Sequence, residues 1–526
     1  MQQAAATPQP NAPETAALSA PQLLALLHTR DASIAALRQQ LEWFKRQMFG
    51  AKSERFAPQP DPAQLSLGQA FPAPGQHLEV RKSVPAHTRR VAKRTPADES
   101  AEALPFFDES RVPVQVIHVA NPEVAALAPE QYQVIGEKIS FRLAQRPGSF
   151  VVLKYVRQVV KRLDTQTLHT PPAPTAVLDG SRADVSFLAA MLVDKFAYHL
   201  PLYRQHQRLT DCGFTVSRPW LTQLCQQIIA LLDPIYQAQL DSIRQSRVKA
   251  MDETAIKAGR TSHGKMKTGY FWPLYGERDE VCFPYFASRA SEHVQSALGL
   301  TCVPGSVLLT DGYAAYERYA KKTGLTHAQC WVHSRRTFFE ALSAEPEAAA
   351  AALEQIGVLY AIEEDIRTDN LSGESKRLHR LTHSKPVSDA LFAWLDRKFA
   401  RHGLLPSNPF TQALNYVRTR RLALEVFLTD PDVPLDTNHL ERALRVIPMG
   451  RKNWNFCWTE LGARHVGIVQ SLIVTCRLHH IDPYTYLLDV LQRVGQHPAA
   501  RVAELTPRLW KSLFAANPLR SDLNLI

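Results

Sequence analysis

Three acidic residues lie where predicted elements begin or end, and together they suit metal-ion chemistry. Asp252 lies in VKAMDETAI, Asp311 in SVLLTDGYAAY and Glu441 in DTNHLERALR. The first two motifs predict buried strands with an aspartate at or near the strand end, and the third predicts a helix start that one of residues 436–438 can cap. Hard cations prefer oxygen ligands, and a pair of them supports in-line displacement at a phosphodiester. The trio therefore predicts two Mg²⁺ or Mn²⁺ ions and phosphoryl transfer on nucleic acid.

Basic residues cluster directly after the third acidic residue. Two arginines three positions apart lie on the same predicted helix as Glu441, so they hold positive charge where a scissile phosphate would lie. A tryptophan beside them can stack on an unpaired base, although a core tryptophan next to surface arginines is the alternative. The predicted DNA-contacting residues of this cluster are Arg442, Arg445, Arg451, Lys452 and Trp454.

The motif CWVHSRRTFFEA places further polar residues at the start of a predicted helix. Cys330 and His333 have the spacing of metal ligands, but two ligands do not make a metal site, so we interpret them, together with Asn438, as support for the active site. Arg335 and Arg336 open the helix and are predicted to bind phosphate. A solvated helix face is the alternative for these two arginines.

The order of predicted elements indicates an α/β fold around the acidic trio. Residues 246–339 read as strand, strand, strand, helix, strand, helix, strand and helix, which is the order of a ribonuclease-H-like core. Asp252 falls inside the first of these strands and Asp311 at the end of the fourth. The helix-forming stretch 340–435 is too long for a loop and predicts a helical insertion, after which residues 436–470 complete the core.

Helical sequence is also predicted on both sides of the core. In residues 181–245, two short helices, a Gly-containing turn and a capped third helix predict a DNA-binding helix-turn-helix. Arg218 and Gln223 would then lie near the groove-facing end of the third helix. A generic helical bundle explains the same spacing. Residues 471–526 predict a C-terminal helical region.

The N-terminal part of the chain predicts four segments. Residues 1–20 are rich in Ala, Pro and Gln and are predicted to be disordered. Apolar residues recur every seven positions through 21–56, which predicts a coiled coil between copies of the chain; a helix packed on its own chain is the alternative. Many prolines and the basic string VRKSVPAHTRRVAKR predict a flexible basic linker over 57–110. Alternating β-branched residues predict a small β unit over 111–180.

The composition limits the compartment and the partners. The chain of 526 residues has 61 Lys and Arg against 50 Asp and Glu, a net charge of +11 that favours polyanionic partners such as DNA. Its seven cysteines form no CxxC pair, which argues against a disulfide framework. No apolar run reaches about 18 residues, and the first residues lack a secretory signal pattern. We therefore expect a cytoplasmic protein near DNA, without membrane contact.

Seven motifs, spread over most of the chain, resemble those of one bacterial family. They are LEWFKRQMFGAKSERF (41–56), DKFAYHLPLYRQ (194–205), MDETAIK (251–257), TDGYAAYERY (310–319), CWVHSRRTFFEA (330–341), NHLERALRVIPMGRKNW (438–454) and DPYTYLLDVL (482–491). The family is the transposases of insertion sequence 66, which have a ribonuclease-H-like catalytic domain. The resemblance implies a catalytic, metal-binding triad at Asp252, Asp311 and Glu441, the same trio that the residue types and spacing indicate.

The resemblance also implies an activity. It implies an enzyme that binds double-stranded element ends, cleaves a phosphodiester and transfers the 3′-hydroxyl to target DNA, with or without accessory proteins of the same element. A DNA-binding relative that has lost transposition is one alternative, and a nuclease without strand transfer is another. The intact trio argues against a lost activity, because clustered carboxylates repel one another unless a cation is bound.

One segment departs from the family pattern. Members usually carry a Cys-rich zinc-binding segment before the helix-turn-helix, whereas residues 115–170 contain no cysteine. A tetrahedral zinc site needs four donors, and His118 and His169 cannot complete one. We therefore expect no structural zinc, and a β unit held by apolar contacts instead.

Overall fold

The computed structural model describes residues 106–110, 112–121, 124–125, 127–146, 148–262, 265–400 and 405–524. The predicted disordered segment 1–20, the coiled coil 21–56 and most of the linker lie outside the described residues. The predicted end of the linker at residue 110 is wrong. Phe107 is only 3% exposed and forms a β-bridge with Phe214, and Phe106 O accepts a hydrogen bond from Thr215 N (2.9 Å). Phe107 and Phe214 are buried and Phe106 is half-buried against the core, so the folded part begins before the predicted boundary.

The predicted β unit is a small sheet. Its strands are β1 (Val114–Val119), β2 (Tyr132–Arg146), β3 (Ser149–Arg162) and β4 (Leu168–His169), in the order β1-β3-β2 with β4 also paired to β3. The β2–β3 hairpin turns at Gly148, whose φ of 87° suits glycine. One face joins the main core through Leu143 and Val152, and the other buries Leu153 against Leu523 near the C-terminal end. Apolar contacts therefore hold the unit.

Three helices follow the β unit: α1 (Val185–Phe196), α2 (Leu202–Asp211) and α3 (Arg218–Arg244). The turn before α3 contains Gly213 with a φ of 96°, and Ser217 Oγ accepts a hydrogen bond from Trp220 N (3.3 Å), as expected of a helix cap. The predicted helix-turn-helix spacing is thus present. However, α3 is 27 residues long and stays buried on one face as far as Ile243, so most of it belongs to the core.

Two sheets form the centre of the fold. Their strands are β5 (Val248–Met251), β6 (Thr254–Ser262), β7 (Lys265–Phe271), β8 (Leu274–Gly276), β9 (Glu280–Cys282), β10 (Tyr285–Phe286), β11 (Val307–Thr310) and β12 (Thr326–Gln329). The larger sheet has the order β12-β11-β5-β8-β9, and the smaller has the order β10-β7-β6. In the larger sheet β5, β11 and β12 run parallel, while β8 is antiparallel to β5 and to β9.

Each of the first three strands predicted for the core is in fact two strands, one in the larger sheet and one in the smaller. Pro273 separates β7 from β8, and Pro284 separates β9 from β10, because proline has no N–H for the ladder. The breaks lie side by side: Asp252 N donates to Pro273 O (3.3 Å), and Trp272 N donates to Pro284 O (2.9 Å). The prediction that Asp252 lies inside the first strand is therefore wrong. It directly follows β5, in the gap before β6.

Helices surround the larger sheet and form the predicted insertion. Before and within the insertion they are α4 (Glu292–Leu298), α5 (Ala314–Thr323), α6 (Trp331–Ala341), α7 (Pro346–Thr368), α8 (Gly373–His379), α9 (Lys385–Phe399), α10 (Pro409–Arg418), α11 (Arg421–Leu424) and α12 (Val426–Thr429), with a π-helical segment at Arg380–Ser384. After it they are α13 (Asn438–Leu444), α14 (Val446–Trp454), α15 (Glu460–Leu478), α16 (Pro483–Arg493) and α17 (Pro507–Leu513).

The predicted boundary between the core and the C-terminal region is wrong. The sequence predicts it after residue 470, but α15 continues without interruption to Leu478. Within this helix Thr475 Oγ1 accepts a hydrogen bond from Gln239 Nε2 (3.0 Å), so the second half of α15 is fixed to α3. No helix in the described part of the chain is long and apolar enough to cross a membrane.

Candidate active site

The two predicted aspartates lie at one edge of the larger sheet. β11 pairs with β5 in a parallel register that puts Asp311 and Asp252 at corresponding positions, directly after each strand. Asp252 Oδ1 accepts a hydrogen bond from Glu253 N (2.7 Å), and Asp311 Oδ1 accepts one from Tyr313 N (2.9 Å). The carboxyl ends of neighbouring parallel strands therefore present both carboxylates to the same side of the fold.

Glu441 approaches this edge from helix α13, one turn after the helix begins. Asp436 accepts hydrogen bonds from Asn438 N (3.0 Å) and Asn438 Nδ2 (2.6 Å), which closes the turn before the helix. Glu441 Oε1 lies 4.0 Å from His333 Nε2 and 4.0 Å from Arg336 Nη2. The helix carboxylate therefore faces α6, which starts directly after β12.

The carboxylates influence one another electrostatically. Burial raises the pKa of Asp252 from 3.8 to about 7, and the negative charges of Glu253, Asp311 and Glu441 add to the rise. Burial also lowers the pKa of His333, while Asp311 and Glu441 oppose that change. The three predicted catalytic carboxylates thus share one environment, in which a cation would relieve their repulsion.

The donor chemistry of the trio fits Mg²⁺ or Mn²⁺, because carboxylate oxygens are the preferred ligands of hard cations. Across the described ranges, no group of three or more His, Cys, Asp or Glu side chains is close enough to hold a metal ion. Binding of metal ions at Asp252, Asp311 and Glu441 stays a prediction.

Cys330 of the CWVH motif connects the strand that precedes Asp311 to the turn that precedes the helix of Glu441. Cys330 Sγ accepts hydrogen bonds from Thr437 N and Thr437 Oγ1, both at 3.2 Å, and Cys330 N donates to Thr310 O (3.0 Å). Thr310 ends the strand that precedes Asp311, and Thr437 precedes the helix that contains Glu441. The supporting role of Cys330 in catalysis stays a prediction.

Comparison with known proteins matches the segment that contains this site. Residues 180–465 match the "Transposase IS66 family", and all three carboxylates lie within that range. The chain belongs to the IS66 transposase family. Residues 471–508 match the "IS66 C-terminal element", and residues 36–105 match the "Transposase C of IS166 homeodomain". The family indicated by the sequence motifs is confirmed.

Relatives cover nearly the whole IS66-family chain. "Uncharacterized protein y4hP" of Sinorhizobium fredii (strain NBRC 101917 / NGR234) is 29% identical over 508 residues, which cover 92% of this chain and 90% of the relative. "Uncharacterized protein y4jD" of the same strain is 28% identical over 500 residues, which cover 90% of this chain and 94% of the relative. Membership of the family implies DNA binding and DNA transposition, and it places the chain among DNA-modifying enzymes.

Glu253 supports the site of this family member, a role that no sequence pattern indicated. Its side chain is only 5% exposed; Glu253 Oε2 accepts a hydrogen bond from Tyr316 OH (2.5 Å), and Oε1 accepts one from Arg289 Nε (2.8 Å). Tyr313 OH in turn donates to Arg289 O (2.8 Å). This network connects the residue after Asp252 to the start of α5.

The helical insertion contacts the loop that carries the second aspartate, which the sequence did not predict. Arg420 Nη2 donates to Gly312 O (3.4 Å), and the Arg420 guanidinium lies 3.9 Å from the centre of the Tyr416 ring. Gly312 directly follows Asp311, and a Cβ atom at position 312 would lie 2.7 Å from Tyr416 Oη. A side chain at this position cannot be accommodated unless the loop or the Tyr416 ring moves.

Gly312→Ala is therefore expected to slow DNA cleavage about 10-fold, because overpacking of about 1–3 kcal/mol displaces the loop at Asp311. The matched control is Gly357→Ala in α7, where an added Cβ would meet no atom within 4 Å. Single-turnover cleavage of an element end should distinguish the two variants. Equal rates for both would show that the loop tolerates the contact with Tyr416.

The predicted DNA-contacting residues differ in their surroundings. Arg451 Nη1 donates to Ala255 O (2.6 Å), and the Trp454 indole covers Gly450 so closely that a Cβ there would lie 2.6 Å from its Nε1 atom. These two side chains stabilise the fold around α14. Their contact with DNA, and that of the other seven, stays a prediction. Those seven are exposed: Arg442, Arg445, Lys452, Arg335, Arg336, Arg218 and Gln223.

Proposed function

We propose that the chain is the catalytic transposase of its element, which binds element ends, cleaves a phosphodiester and transfers the freed 3′-hydroxyl to target DNA. The observation that carries this proposal is the position of Asp252, Asp311 and Glu441 in one electrostatic environment at the edge of the larger sheet. Three antiparallel strands followed along the chain by two parallel ones also support a ribonuclease-H-like core.

The proposed ligands of two Mg²⁺ or Mn²⁺ ions are these three carboxylates. Bound ions would activate the attacking hydroxyl and stabilise the leaving oxygen of an in-line displacement. Glu253 holds the chain directly after Asp252, and Cys330 holds the backbone before the helix of Glu441. No structural zinc site is part of the proposal.

Positive side chains beside the carboxylates are proposed to hold the DNA. Arg336 lies near Glu441, and Arg442 and Arg445 are exposed at α13, so their charge-assisted hydrogen bonds can position a phosphate at the trio. The exposed start of α3 is proposed to contact double-stranded ends. Self-association through residues 21–56 would bring two ends together, with or without accessory proteins of the same element.

Pre-cut element ends test strand transfer separately from cleavage. With Mg²⁺ the protein is expected to cleave intact ends and to join pre-cut ends to a target plasmid. Glu441→Gln, which keeps the side-chain size, should bind the same DNA and do neither. Cleavage without joined products would identify a nuclease. Binding without either reaction would identify a relative that has lost transposition.

A further inference from the structure

A cavity of about 490 Å³ lies beside the proposed active site. It is lined by Val332, Arg335, Arg336, Phe339, Tyr360 and Asn438. Its volume falls within the range of about 300–1,000 Å³ that small-molecule sites occupy. Of the six lining residues, the two charged ones are both arginine, so the cavity favours an anionic occupant.

The lining follows from the two faces of helix α6. Trp331, Ser334, Phe338 and Ala341 are buried and fix the helix to the core. The opposite face carries Val332, Arg335, Arg336 and Phe339, at the spacing of three, four and seven residues that puts side chains on one side of a helix. The Phe339 side chain is 59% exposed although it is large and apolar. An exposed aromatic ring one helical turn from two arginines is suited to stacking.

The cavity is continuous with the catalytic elements. Asn438 is the first residue of α13, one turn before Glu441, and it forms part of the cavity wall. Arg336 lines the cavity, and its Nη2 atom lies 4.0 Å from Glu441 Oε1. Tyr360 of α7 also lines the cavity, and burial, with the added effect of Asp436, raises its pKa.

We propose that this cavity binds one nucleotide of the strand that passes the active site. The base stacks on Phe339 and contacts Val332, while Arg335 binds an adjacent phosphate. Aromatic stacking is independent of sequence, and phosphate contacts carry no sequence information, so the cavity would hold an unpaired nucleotide in place whatever its base. The inference rests on the proposed function, because it takes DNA at the trio as the substrate.

The test combines a protein variant with removal of the base. Phe339→Ala is compared with Leu513→Ala, a matched control in which a similarly exposed apolar residue (53% against 59%) is shortened in α17. DNA carrying the two element ends is prepared with a single abasic nucleotide at successive positions around the cleavage site. Phe339→Ala is expected to slow cleavage about 5- to 150-fold, the range that loss of one stacked base implies, and Leu513→Ala should cleave like the wild type.

The decisive result is that the effects of Phe339→Ala and of removing the base do not add at one position of the DNA. If the base binds Phe339, one abasic position should slow the wild type by about the same factor and leave Phe339→Ala no slower than before. A second readout does not need cleavage: 2-aminopurine at that position should change fluorescence when the wild type binds, and Phe339→Ala should abolish the change. Arg335→Gln should weaken binding of every such DNA alike.

Three results would overturn the proposal. The first is that Phe339→Ala slows all DNAs, abasic or not, by the same factor, which would give the ring a structural role. The second is that Phe339→Ala alters neither cleavage nor fluorescence. The third is that Phe339→Ala changes the sedimentation of the protein without DNA, which would make the cavity a protein–protein contact. If the wild type does not cleave, the proposed function fails, and the fluorescence comparison still decides the cavity.

Discussion

Asp252→Asn is expected to abolish strand cleavage and, at the same time, to stabilise the fold above pH 7. Asparagine has the same size as aspartate but brings no negative charge to a cation, so cleavage should fall on the order of 10⁴-fold or more, as for other essential catalytic groups. The gain in stability has a separate cause. Burial opposes the charged form of Asp252, and the neighbouring carboxylates oppose it further.

The sign of the pH dependence follows from the raised pKa. A carboxyl with a pKa of about 7 in the folded protein and 3.8 unfolded binds its proton more tightly when folded. Its stabilising contribution is complete below pH 3.8 and is lost as the pH rises through about 7. Asparagine never acquires the charge. Above pH 7 the free energy of unfolding should therefore be larger for Asp252→Asn, by at most about 4 kcal/mol.

Urea unfolding of the wild type and of Asp252→Asn, at pH 5 and at pH 8 without divalent cation, measures the difference in their free energies of unfolding. The difference should be smaller at pH 5, where the unfolded carboxyl is already mostly ionised, than at pH 8. Mg²⁺ should reduce the difference in unfolding free energy between the variant and the wild type, because it stabilises the wild type alone. An ion that binds only the folded state raises the unfolding free energy. The control Asp241→Asn, whose carboxylate is 67% exposed, should change neither stability nor cleavage. A variant that is less stable at pH 8 would contradict the raised pKa.

The local chemistry of the site is predictable from the sequence because it depends on short motifs. Apolar runs before Asp252 and Asp311 predict the strands, and polar residues before Glu441 predict the helix start. The break after β5 is also marked, by Pro273 and Pro284 in the two following strands. Treating these prolines as parts of continuous strands is what places Asp252 inside a strand rather than in the gap after β5.

Contacts across long stretches of sequence are not predictable in this way. Arg420 is 108 residues from Gly312, and no periodicity connects the two. The same holds for Leu523, whose side chain covers the sheet that contains Leu153. Helix-forming sequence predicts that the insertion is helical, but only the folded chain shows that it contacts the loop at Asp311. Tertiary packing decides such pairings, and a single sequence carries no record of them.

The second large effect is expected inside that insertion, at a buried ion pair. The Arg380 side chain is fully buried, and its Nε and Nη2 atoms donate to the two oxygens of Glu363 at 2.7 and 2.8 Å. Arg380 Nη1 donates to Phe427 O (2.8 Å) and Val433 O (3.1 Å). One guanidinium therefore joins α7 and the π-helical segment to the chain that leads into the catalytic helix at Asn438.

Glu363→Gln is expected to lower the free energy of unfolding by about 3 kcal/mol, because it leaves the buried Arg380 charge without its hydrogen-bonded counter-charge. The next residue provides a matched control. Glu364 pairs with Arg367 at the surface, where the two side chains are 64% and 70% exposed, so Glu364→Gln should cost less than about 1 kcal/mol. Urea unfolding at pH 7 compares the two variants directly. Equal losses would show that the insertion does not depend on the buried pair.

The same substitution should also impair the active site. Arg380 holds the backbone at Val433, and two residues later Leu435 O accepts a hydrogen bond from Trp331 N (3.2 Å), next to the Cys330 contact with Thr437. Loosening this chain should move the start of α13 and with it Glu441, so Glu363→Gln should cleave more slowly even below its unfolding temperature. Glu364→Gln should cleave at the wild-type rate. If Glu363→Gln is less stable but cleaves equally fast while folded, the insertion stabilises the fold without positioning the catalytic helix.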